Sequence, residues 1–440
     1  MTDLLEINQK SELMMENVLE QANIASHQQN WPLLNHYLRQ TIEQEKGRTS
    51  QATLDRKKIL HWALEVLEWG DFQDRWEVVK IFPSLGTIAI APLTNILQDE
   101  EAEEELRWFV VRILAEFNTQ EVIHVLVEIL KTSESEELTA MAAEALANLG
   151  QNAIAALTEL LTAEETRLLA VRSLSAIRRS ETITPLLTVV KDPQIYVRVA
   201  AIEALSSFHD SRIPPVLLDA LKDIAAPVRK EAVIGLGLRP ELREDLDLGN
   251  QIIPLLWDFN LEVCAAAAQS LARLGTNAAA DALFKVLRSP NTPLPLQLQC
   301  VRSLGWMETP QTLEYLQQAL NLESLPVYQE VVTILGRLEK ESLTPAASQI
   351  LIAALRSQHP ALEDNKIRQA FAVSLGQLAT PESIDSLIHL LVDRDLGVRL
   401  HAIAALKKFP TAIGQLKELI ANESSPSQLR QGVALALQEF

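Results

Sequence analysis

Small and aliphatic residues recur along the 440-residue chain in one repeated phrase. The phrase opens with an aliphatic residue and usually Arg, continues with small residues, and closes on Leu, as in Val197–Leu205, Val228–Leu236 and Val398–Leu406. A fixed period of this kind predicts a solenoid, in which each repeat buries its apolar face only against its neighbours. The closing Leu occurs eleven times, at intervals of 28 to 40 residues of which half are 31, at Leu114, Leu146, Leu174, Leu205, Leu236, Leu271, Leu304, Leu335, Leu375, Leu406 and Leu437.

The positions around each anchor Leu predict a helix that packs closely against another helix. The fourth residue before the anchor is most often Ala, as at Ala201, Ala232 and Ala402, and the residue directly before it is mostly Ala, Ser or Gly. Small side chains at these positions let a neighbouring backbone approach. An aliphatic residue eight positions before the anchor, such as Val228, extends the apolar face by about two turns.

Each of these helices is preceded by another apolar helical segment, such as Ile183–Val190 or Ile384–Val392, so the repeat unit is an antiparallel helix pair. A glycine after the second helix, as at Gly275, suits the left-handed conformation that ends a helix. The sequence therefore predicts an all-α protein. It is expected to be a right-handed α-solenoid of about twelve repeats at residues 71–440, preceded by an N-terminal helical capping region at residues 1–70.

An Asp and an Arg six residues apart mark the turn before the second helix in three repeats. An Asp there can cap the free amides of the helix, and the Arg can reach that carboxylate or the one in the adjoining repeat. We expect these residues to form a structural ladder of charge-assisted hydrogen bonds. The pairs are Asp192 and Arg198, Asp223 and Arg229, and Asp393 and Arg399.

The Asp and Arg pairing, with a Pro beside the first helix, resembles HEAT repeats over roughly Asp74–Phe440. The short period is similar to the subtype of about 30 residues found in phycobilisome lyases, rather than to units of about 40 to 47 residues. The resemblance implies that the second helices line a concave face. It leaves the function open, because HEAT repeats serve many unrelated tasks.

Composition and charge narrow the classes of function. Hydrophobic residues make up 48% of the chain and aromatic residues only 5%, which is typical of an ordered helical core. The formal charge of −19 repels phosphate backbones, so we expect no nucleic-acid partner. No secretory signal and no apolar run of about 20 residues is apparent, so we expect a cytoplasmic protein without a transmembrane segment.

The first part of the chain departs from the repeat. Five of the seven Trp lie within the first 108 residues, and the phrases around Trp76 and Trp108 are near copies that add Phe82 as a twelfth anchor. Large aromatic residues suit a cap over the core of the first repeat, but Trp with neighbouring Arg also suits a partner-binding hot spot. Three helices without the phrase are predicted here, at Ser11–Ala25, Trp31–Glu45 and Leu54–Trp69.

A polar column stands two positions before the anchors, between apolar neighbours, so we expect it to face solvent. It includes Arg112, Arg172 and Arg302 together with Glu144, Glu203 and Gln269. An ordinary solvated face of mixed charge is the competing interpretation. The positions that we nominate for a partner surface are Trp76, Arg107, Trp108, Arg112, Arg172 and Arg302.

No catalytic residue, metal site or cofactor is predicted. The eight His are dispersed and none is followed by Glu, and no phosphate-binding loop or nucleophile elbow occurs. Cys264 takes the place of a ladder Arg and Cys300 that of a small residue, so both are expected to be buried and unreactive. Two insertions, Arg239–Asn250 and a second one divided between Glu339–Thr344 and Gln358–Asp364, are expected to form surface loops, although insertions in solenoids can also map to the binding face.

Two functions remain open at this stage. The first is a non-enzymatic scaffold that binds a protein partner on its concave surface, in the assembly or regulation of a photosynthetic or phycobilisome complex. The second is the activity that the lyase resemblance implies, in which a bilin is bound and presented to a cysteine of a phycobiliprotein. Only this alternative requires a cofactor, and the oligomeric state is left open in both.

Overall fold

The structure is a computed structural model that describes residues 2–45, 53–99 and 101–440. These residues form helices and no strand, so the prediction of an all-α solenoid is confirmed. The α-helices are α1 (Thr2–His27), α2 (Trp31–Glu45), α3 (Thr53–Trp69), α4 (Phe72–Val78), α5 (Phe82–Leu85), α6 (Ile90–Gln98), α7 (Glu104–Leu114), α8 (Gln120–Thr132), α9 (Glu136–Asn148), α10 (Ile154–Leu160), α11 (Glu164–Ile177), α12 (Ile183–Thr188), α13 (Ile195–Ser206), α14 (Ile213–Ala220), α15 (Ala226–Gly237), α16 (Leu248–Ile252), α17 (Leu261–Leu274), α18 (Asn277–Leu287), α19 (Leu294–Met307), α20 (Pro310–Ala319), α21 (Leu325–Gly336), α22 (Thr344–Leu355), α23 (Asn365–Leu378), α24 (Ser383–Leu390), α25 (Leu396–Leu406), α26 (Ala412–Ala421) and α27 (Ser427–Gln438). Short 3₁₀ helices lie at Gly86–Ala89, Gly150–Ala153, Ser180–Thr182, Pro240–Leu242, Ile253–Trp257 and Pro360–Glu363.

The chain divides into two compact units, Met1–Leu205 and Ser206–Phe440. In the first unit, helices α1–α5 precede the repeats that begin with the pair α6 and α7. In the second unit, seven helix pairs follow one another from α14 to α27. Consecutive second helices contact each other, from α7 through α9 to α11 in the first unit and from α15 through α17, α19, α21 and α23 to α25 in the second. The predicted boundary at residue 70 stays a prediction.

Small residues bring consecutive second helices of the second unit into close contact. A Cβ atom added at Gly336 would lie 2.5 Å from the Cα atom of Ser374, and one at Gly376 would lie 2.9 Å from the Cα atom of Ala405. No Cβ atom fits at these distances, so the two backbones meet where only glycine is tolerated. The alanines four positions before the anchors are buried, as at Ala232, Ala267 and Ala402.

The ladder geometry is clearest at Arg229 in the first turn of α15. Its Nε and Nη2 atoms each donate a hydrogen bond of 2.7 Å to the carboxylate of Asp258, which lies in the turn of the next repeat. Its Nη1 atom donates to the backbone oxygens of Asp223 at 2.8 Å and Ile224 at 3.0 Å. One guanidinium therefore joins the turn of its own repeat to the turn of the following one.

The same arrangement recurs at ladder positions that the sequence reading did not name. Arg167 donates to the Asp192 carboxylate at 2.7 Å, and Arg368 donates to that of Asp393 at 2.7 and 3.1 Å. Of the predicted arginines, Arg198 and Arg399 donate to the backbone oxygens of the Asp residues six positions earlier, at 2.8 and 2.7 Å. The Cys264 thiol, which replaces an Arg, donates to the backbone oxygen of Asp258 at 3.1 Å. Replacing Arg by Cys thus preserves the bond to the turn.

The expectation that the ladder Asp residues cap the second helices is wrong. Asp393 accepts a hydrogen bond of 2.8 Å from the Asp395 amide, and Asp395 is the residue that caps α25 by accepting from Val398 at 3.0 Å. Asp223 likewise accepts from the amide of Ala225, two residues on. These carboxylates stand too early in the chain to reach the helix amides, so they close a tight turn in front of the helix instead.

The first insertion was only partly a surface loop. Arg239, expected in that loop, is 2% exposed and donates to the backbone oxygens of Ser206 at 3.1 Å and Phe208 at 2.7 Å. Leu248 at the start of α16 is also buried. The insertion therefore fastens one repeat to its predecessor, and only its central residues face solvent.

One segment of 27 residues, Phe72–Gln98, passes a test of length and composition for a membrane span, because an 18-residue window within it has a mean hydropathy of 1.3. It is divided among α4, α5, a 3₁₀ helix and α6, and it turns at Gly86, where φ is +74°. Helix α3 contacts both α4 and α5. The segment is therefore not a clear membrane span.

Candidate functional site

An exposed group of aromatic side chains lies where α3, α4 and α7 meet. We call it the aromatic–arginine surface and define it by Trp69, Phe72, Trp76, Trp108 and Arg112. Trp69 is 67% exposed and Phe72 is 53% exposed, while Trp76 and Trp108 are half-buried. Two of these five side chains are therefore aromatic rings that face solvent.

The rings of Phe72, Trp76 and Trp108 and the Arg112 guanidinium form one connected cluster, and Trp69 precedes it across the turn at Gly70. The Phe72 and Trp76 rings are stacked, with centroids 6.1 Å apart and planes 19° apart. The Arg112 Cζ atom lies 4.5 Å from the Trp76 centroid and 5.8 Å from that of Trp108. Cation–π contacts of this length hold the two indoles and the guanidinium together. Trp76, Trp108 and Arg112, nominated from sequence, are thus brought into a single site.

Buried contacts beneath the cluster fix its geometry. Phe109 is fully buried and packs against Phe72 with a centroid distance of 5.4 Å and against Trp108 at 5.0 Å. Arg75 is 5% exposed and donates to Glu105 at 2.7 Å and Glu103 at 3.0 Å, which ties α4 to the start of α7. The aromatic side chains are therefore presented on a rigid base.

The turn from α3 to α4 sets the positions of Trp69 and Phe72. A Cβ atom at Gly70 would lie 2.5 Å from the Val66 carbonyl oxygen, so this close turn requires glycine. Asp71 then caps α4, accepting from the Asp74 amide at 2.9 Å, and Asp74 accepts in return from the Asp71 amide at 3.4 Å. Burial, together with the neighbouring Asp71, raises the pKa of the Asp74 carboxyl.

Arg107 does not belong to this surface. Its Nε atom donates to the backbone oxygen of Leu97 at 3.2 Å, so it points back towards the preceding turn. Arg107 lies seven positions before its anchor, as the ladder arginines do, and that spacing could have shown its structural role. Its nomination for partner binding overlooked this register.

The other two nominated arginines lie apart from the aromatic cluster. Arg172 on α11 is exposed, as are Glu144, Glu203 and Gln269 of the same polar column. Among the described residues, Arg172 makes no ion pair. Arg302, in the second unit, is exposed and its Nε atom lies 2.6 Å from Glu330 Oε1. The polar column is therefore a solvent-facing feature of many repeats and not one site.

The Trp residues of the N-terminal region differ in burial. Trp62 on α3 is 6% exposed and contributes to the core of the first unit, as a capping residue would. Trp69, seven residues later on the same helix, is largely exposed. The two side chains are seven residues apart and therefore lie on the same side of α3, with Trp62 in its packed part and Trp69 at its last residue.

Both thiols are buried, and an open pocket lies beside α2 and α4. Cys264 and Cys300 are buried and unpaired, and burial raises the pKa of the Cys264 thiol and raises that of Cys300 to about 12. An open pocket of about 330 Å³ beside α2 and α4 is lined by residues that include His36, Arg39 and Glu77, and the Arg39–Glu77 ion pair of 2.6 Å lies in its wall. Within residues 2–45, 53–99 and 101–440, no three metal-binding side chains come together.

Antiparallel helix pairs that pack in sequence against their neighbours define the class of α-solenoid repeat proteins. A family model described as HEAT repeats matches residues 90–167, 162–237 and 359–438, which together make up just over half of the chain. The protein belongs to the HEAT-repeat family. This confirms the resemblance to HEAT repeats that the Asp and Arg residues of the turns indicated.

Comparison with solved structures shows the same fold in two karyopherins. Importin beta is 14% identical over 86% of this chain and 60% of its own, with a TM-score of 0.52. Kap95p, in a structure with RanGDP, is 12% identical over 87% of this chain and 60% of its own, with a TM-score of 0.55. The chain therefore spans about 60% of the length of these proteins, and the likeness concerns the fold alone. A search among curated proteins found no match.

Proposed function

We propose that this HEAT-repeat protein is a non-enzymatic scaffold that binds a protein partner through the aromatic–arginine surface. The observation that carries the proposal is the exposure of Trp69 and Phe72 beside the stack of Trp76, Arg112 and Trp108. Tryptophan and arginine are the residues most enriched at binding hot spots, and these are held by buried contacts beneath them. A partner that covers them loses little conformational freedom on the scaffold side.

The apolar area available supports a specific complex. At their observed exposures, Trp69 and Phe72 alone offer on the order of 250 Å² of aromatic surface, given the usual areas of these side chains. Covering that area is worth about 6 kcal/mol before the costs of association are subtracted. Micromolar binding corresponds to a net free energy of about −8 kcal/mol, so the half-buried indoles and polar contacts must contribute as well.

The cellular context that we propose is the cytoplasm, in the assembly or regulation of a photosynthetic or phycobilisome complex. Its support is the 31-residue period, which is similar to that of phycobilisome-lyase repeats. The competing hypothesis is a bilin lyase or chaperone, for which a cation among aromatic rings is the relevant arrangement. Visible spectra recorded with added phycocyanobilin and an acceptor phycobiliprotein separate the two, because the scaffold proposal predicts no bound or transferred pigment.

Affinity isolation from the native host tests the scaffold proposal. The bait is the full chain, compared with the Trp76→Ala, Trp108→Ala double variant and with Arg172→Ala as an exposed control outside the surface. The wild type and Arg172→Ala are expected to recover the same partner in stoichiometric amount, and the double variant to lose it. Circular dichroism confirms that each variant is folded. Equal recovery by all three proteins, or by none under gentle low-salt conditions, refutes the proposal.

A further inference from the structure

A second exposed group of side chains lies on the second helices of the other unit. We call it the Trp306 surface and define it by Arg273, Arg302, Trp306 and Arg337. Arg273, Trp306 and Arg337 occupy the same register, two positions after the anchors of α17, α19 and α21. Because these three helices contact one another in sequence, the common register places the side chains in one row.

The indole at the centre of this row is solvent-exposed and has a cation beside it. Trp306 is 61% exposed, and the Arg273 Cζ atom lies 5.5 Å from its ring centroid. Gly305, next to Trp306, allows α21 to approach through Ile334 so closely that a Cβ atom would collide. The row is therefore built on a tightly packed base, which limits the freedom of its members.

The row is cationic although the chain is strongly acidic. Arg302 is paired with Glu330 at 2.6 Å. Arg273 and Arg337 form no ion pair with any described residue. The nearest carboxylate along α19, that of Glu308, accepts hydrogen bonds from the backbone amides of Glu339 at 2.9 Å and Lys340 at 2.8 Å. One guanidinium thus lies beside an exposed indole, and a second, that of Arg337 at the C-cap of α21, occupies the equivalent position of the next repeat, in a chain of net charge −19.

We propose that the Trp306 surface binds a short acidic segment of a protein partner that also carries an aromatic or aliphatic residue. The apolar residue stacks on Trp306, and carboxylates on either side pair with Arg273 and Arg337. Arginine at such a site provides planar, bidentate recognition of carboxylates. A long polyanion such as RNA is disfavoured. It would extend past the two arginines, and the net negative charge of the protein would repel the rest of it.

This surface extends the proposed scaffold function and rests on separate residues. It lies entirely within Ser206–Phe440, whereas the aromatic–arginine surface lies within Met1–Leu205. Its test uses the purified full chain and a synthetic probe and requires no host partner. A negative result here therefore leaves the affinity isolation unaffected, and a negative isolation leaves this test unaffected.

The test measures fluorescence anisotropy of a labelled peptide of alternating Glu pairs and Leu-Phe pairs, with the Glu→Gln version as its matched probe. We expect the Gln peptide to bind at least about tenfold more weakly, since it lacks the charges that pair with arginine. The Arg273→Ala, Arg337→Ala double variant is expected to lose about tenfold in affinity for the Glu peptide, with Trp306→Ala also weakened. Replacing both arginines by Lys is expected to restore part of the loss, and Arg172→Ala is expected to bind normally.

Several results would overturn the proposal. One is equal binding of the Glu and Gln peptides, and another is an unchanged affinity in the double arginine variant. Displacement of the peptide by heparin with the same dependence on Arg273 and Arg337 would show a general polyanion surface instead. A concentration-dependent dimer in sedimentation velocity that Trp306→Ala abolishes would assign the surface to a second copy of the chain.

Discussion

Replacing Arg229 by Ala removes one complete connection of the ladder. The guanidinium makes two hydrogen bonds of 2.7 Å to Asp258 and two to the backbone oxygens of Asp223 and Ile224. The Arg229 side chain is only 16% exposed and that of Asp258 only 7%. The substitution therefore leaves a nearly buried carboxylate without its cation, and two carbonyl groups without their donor.

The expected cost follows from these contacts. Each charge-assisted hydrogen bond is worth about 1.5 to 3 kcal/mol, and removing one partner of a buried ion pair costs about 3 to 5 kcal/mol. Water reaches the vacated position in part, because the arginine is not fully buried, so we take the lower end of that range. We predict that Arg229→Ala lowers the free energy of unfolding by about 3 kcal/mol.

Urea unfolding followed by circular dichroism measures this change. Arg172→Ala is the matched control, because it removes an exposed arginine that has no ion pair among the described residues; its effect should stay within about 0.5 kcal/mol. Native-state hydrogen exchange locates the effect, which should concentrate in α15, α17 and the turn between them. An equal effect of the two substitutions, or no loss at Arg229, would show that the ladder does not stabilise the stack.

Three further predictions concern packing, reactivity and pH. Gly336→Ala should cost about 1 to 3 kcal/mol, because its Cβ atom would meet Ser374, whereas Gly414→Ala, where no atom lies within 4 Å, should be neutral or slightly stabilising in urea unfolding. Cys300 should react with a thiol reagent at pH 8 only as fast as the protein opens, because burial holds its pKa near 12; rapid stoichiometric labelling of the native chain would contradict this. The pKa of the Asp258 carboxyl is lowered by its arginine partner, so its contribution to stability is present above the unfolded pKa of about 4 and is lost as the pH falls through the lower folded value. Asp258→Asn should therefore be less stable than wild type at neutral pH and approach it in acid, and a constant difference between the two would refute this.

The repeat made the core predictable from the sequence. The anchor Leu and the small residues before it recur at fixed positions in each repeat. These positions face the neighbouring helices, so their residues are buried, as Ala232 and Leu236 illustrate. The ladder arginines were predictable for the same reason. The same column identifies Arg107 and Arg167, which the sequence reading did not place there.

The features that could not be predicted from the sequence depend on contacts between distant residues or on exact turn geometry. The Asp393 carboxylate serves its turn and not the helix cap, because the helix begins two residues later than the spacing suggested. Arg239 looked polar and exposed, but carbonyls more than thirty residues away bind it in the interior. The glycine contacts between second helices were also not predicted. Glycine lowers helix stability, and its value as a contact point appears only when the adjacent helix is known.

The candidate surface was half predictable. The repeated phrases at Trp76 and Trp108 indicated that the two indoles occupy equivalent positions on successive helices, and Arg112 stood in the exposed column. That Arg112 lies against both rings, and that Phe72 stacks on Trp76, depends on how α4 packs against α7, which the sequence does not specify.

The most direct test of the scaffold proposal is the affinity of the purified chain for its purified partner, measured by calorimetry. The wild type and the Trp76→Ala, Trp108→Ala double variant are compared, with Arg172→Ala as control. Hot-spot tryptophans cost about 2 kcal/mol or more on truncation, so the double variant should bind at least about thirtyfold more weakly while Arg172→Ala binds as wild type does. An affinity of the double variant within about twofold of wild type would contradict the assignment of partner binding to this surface.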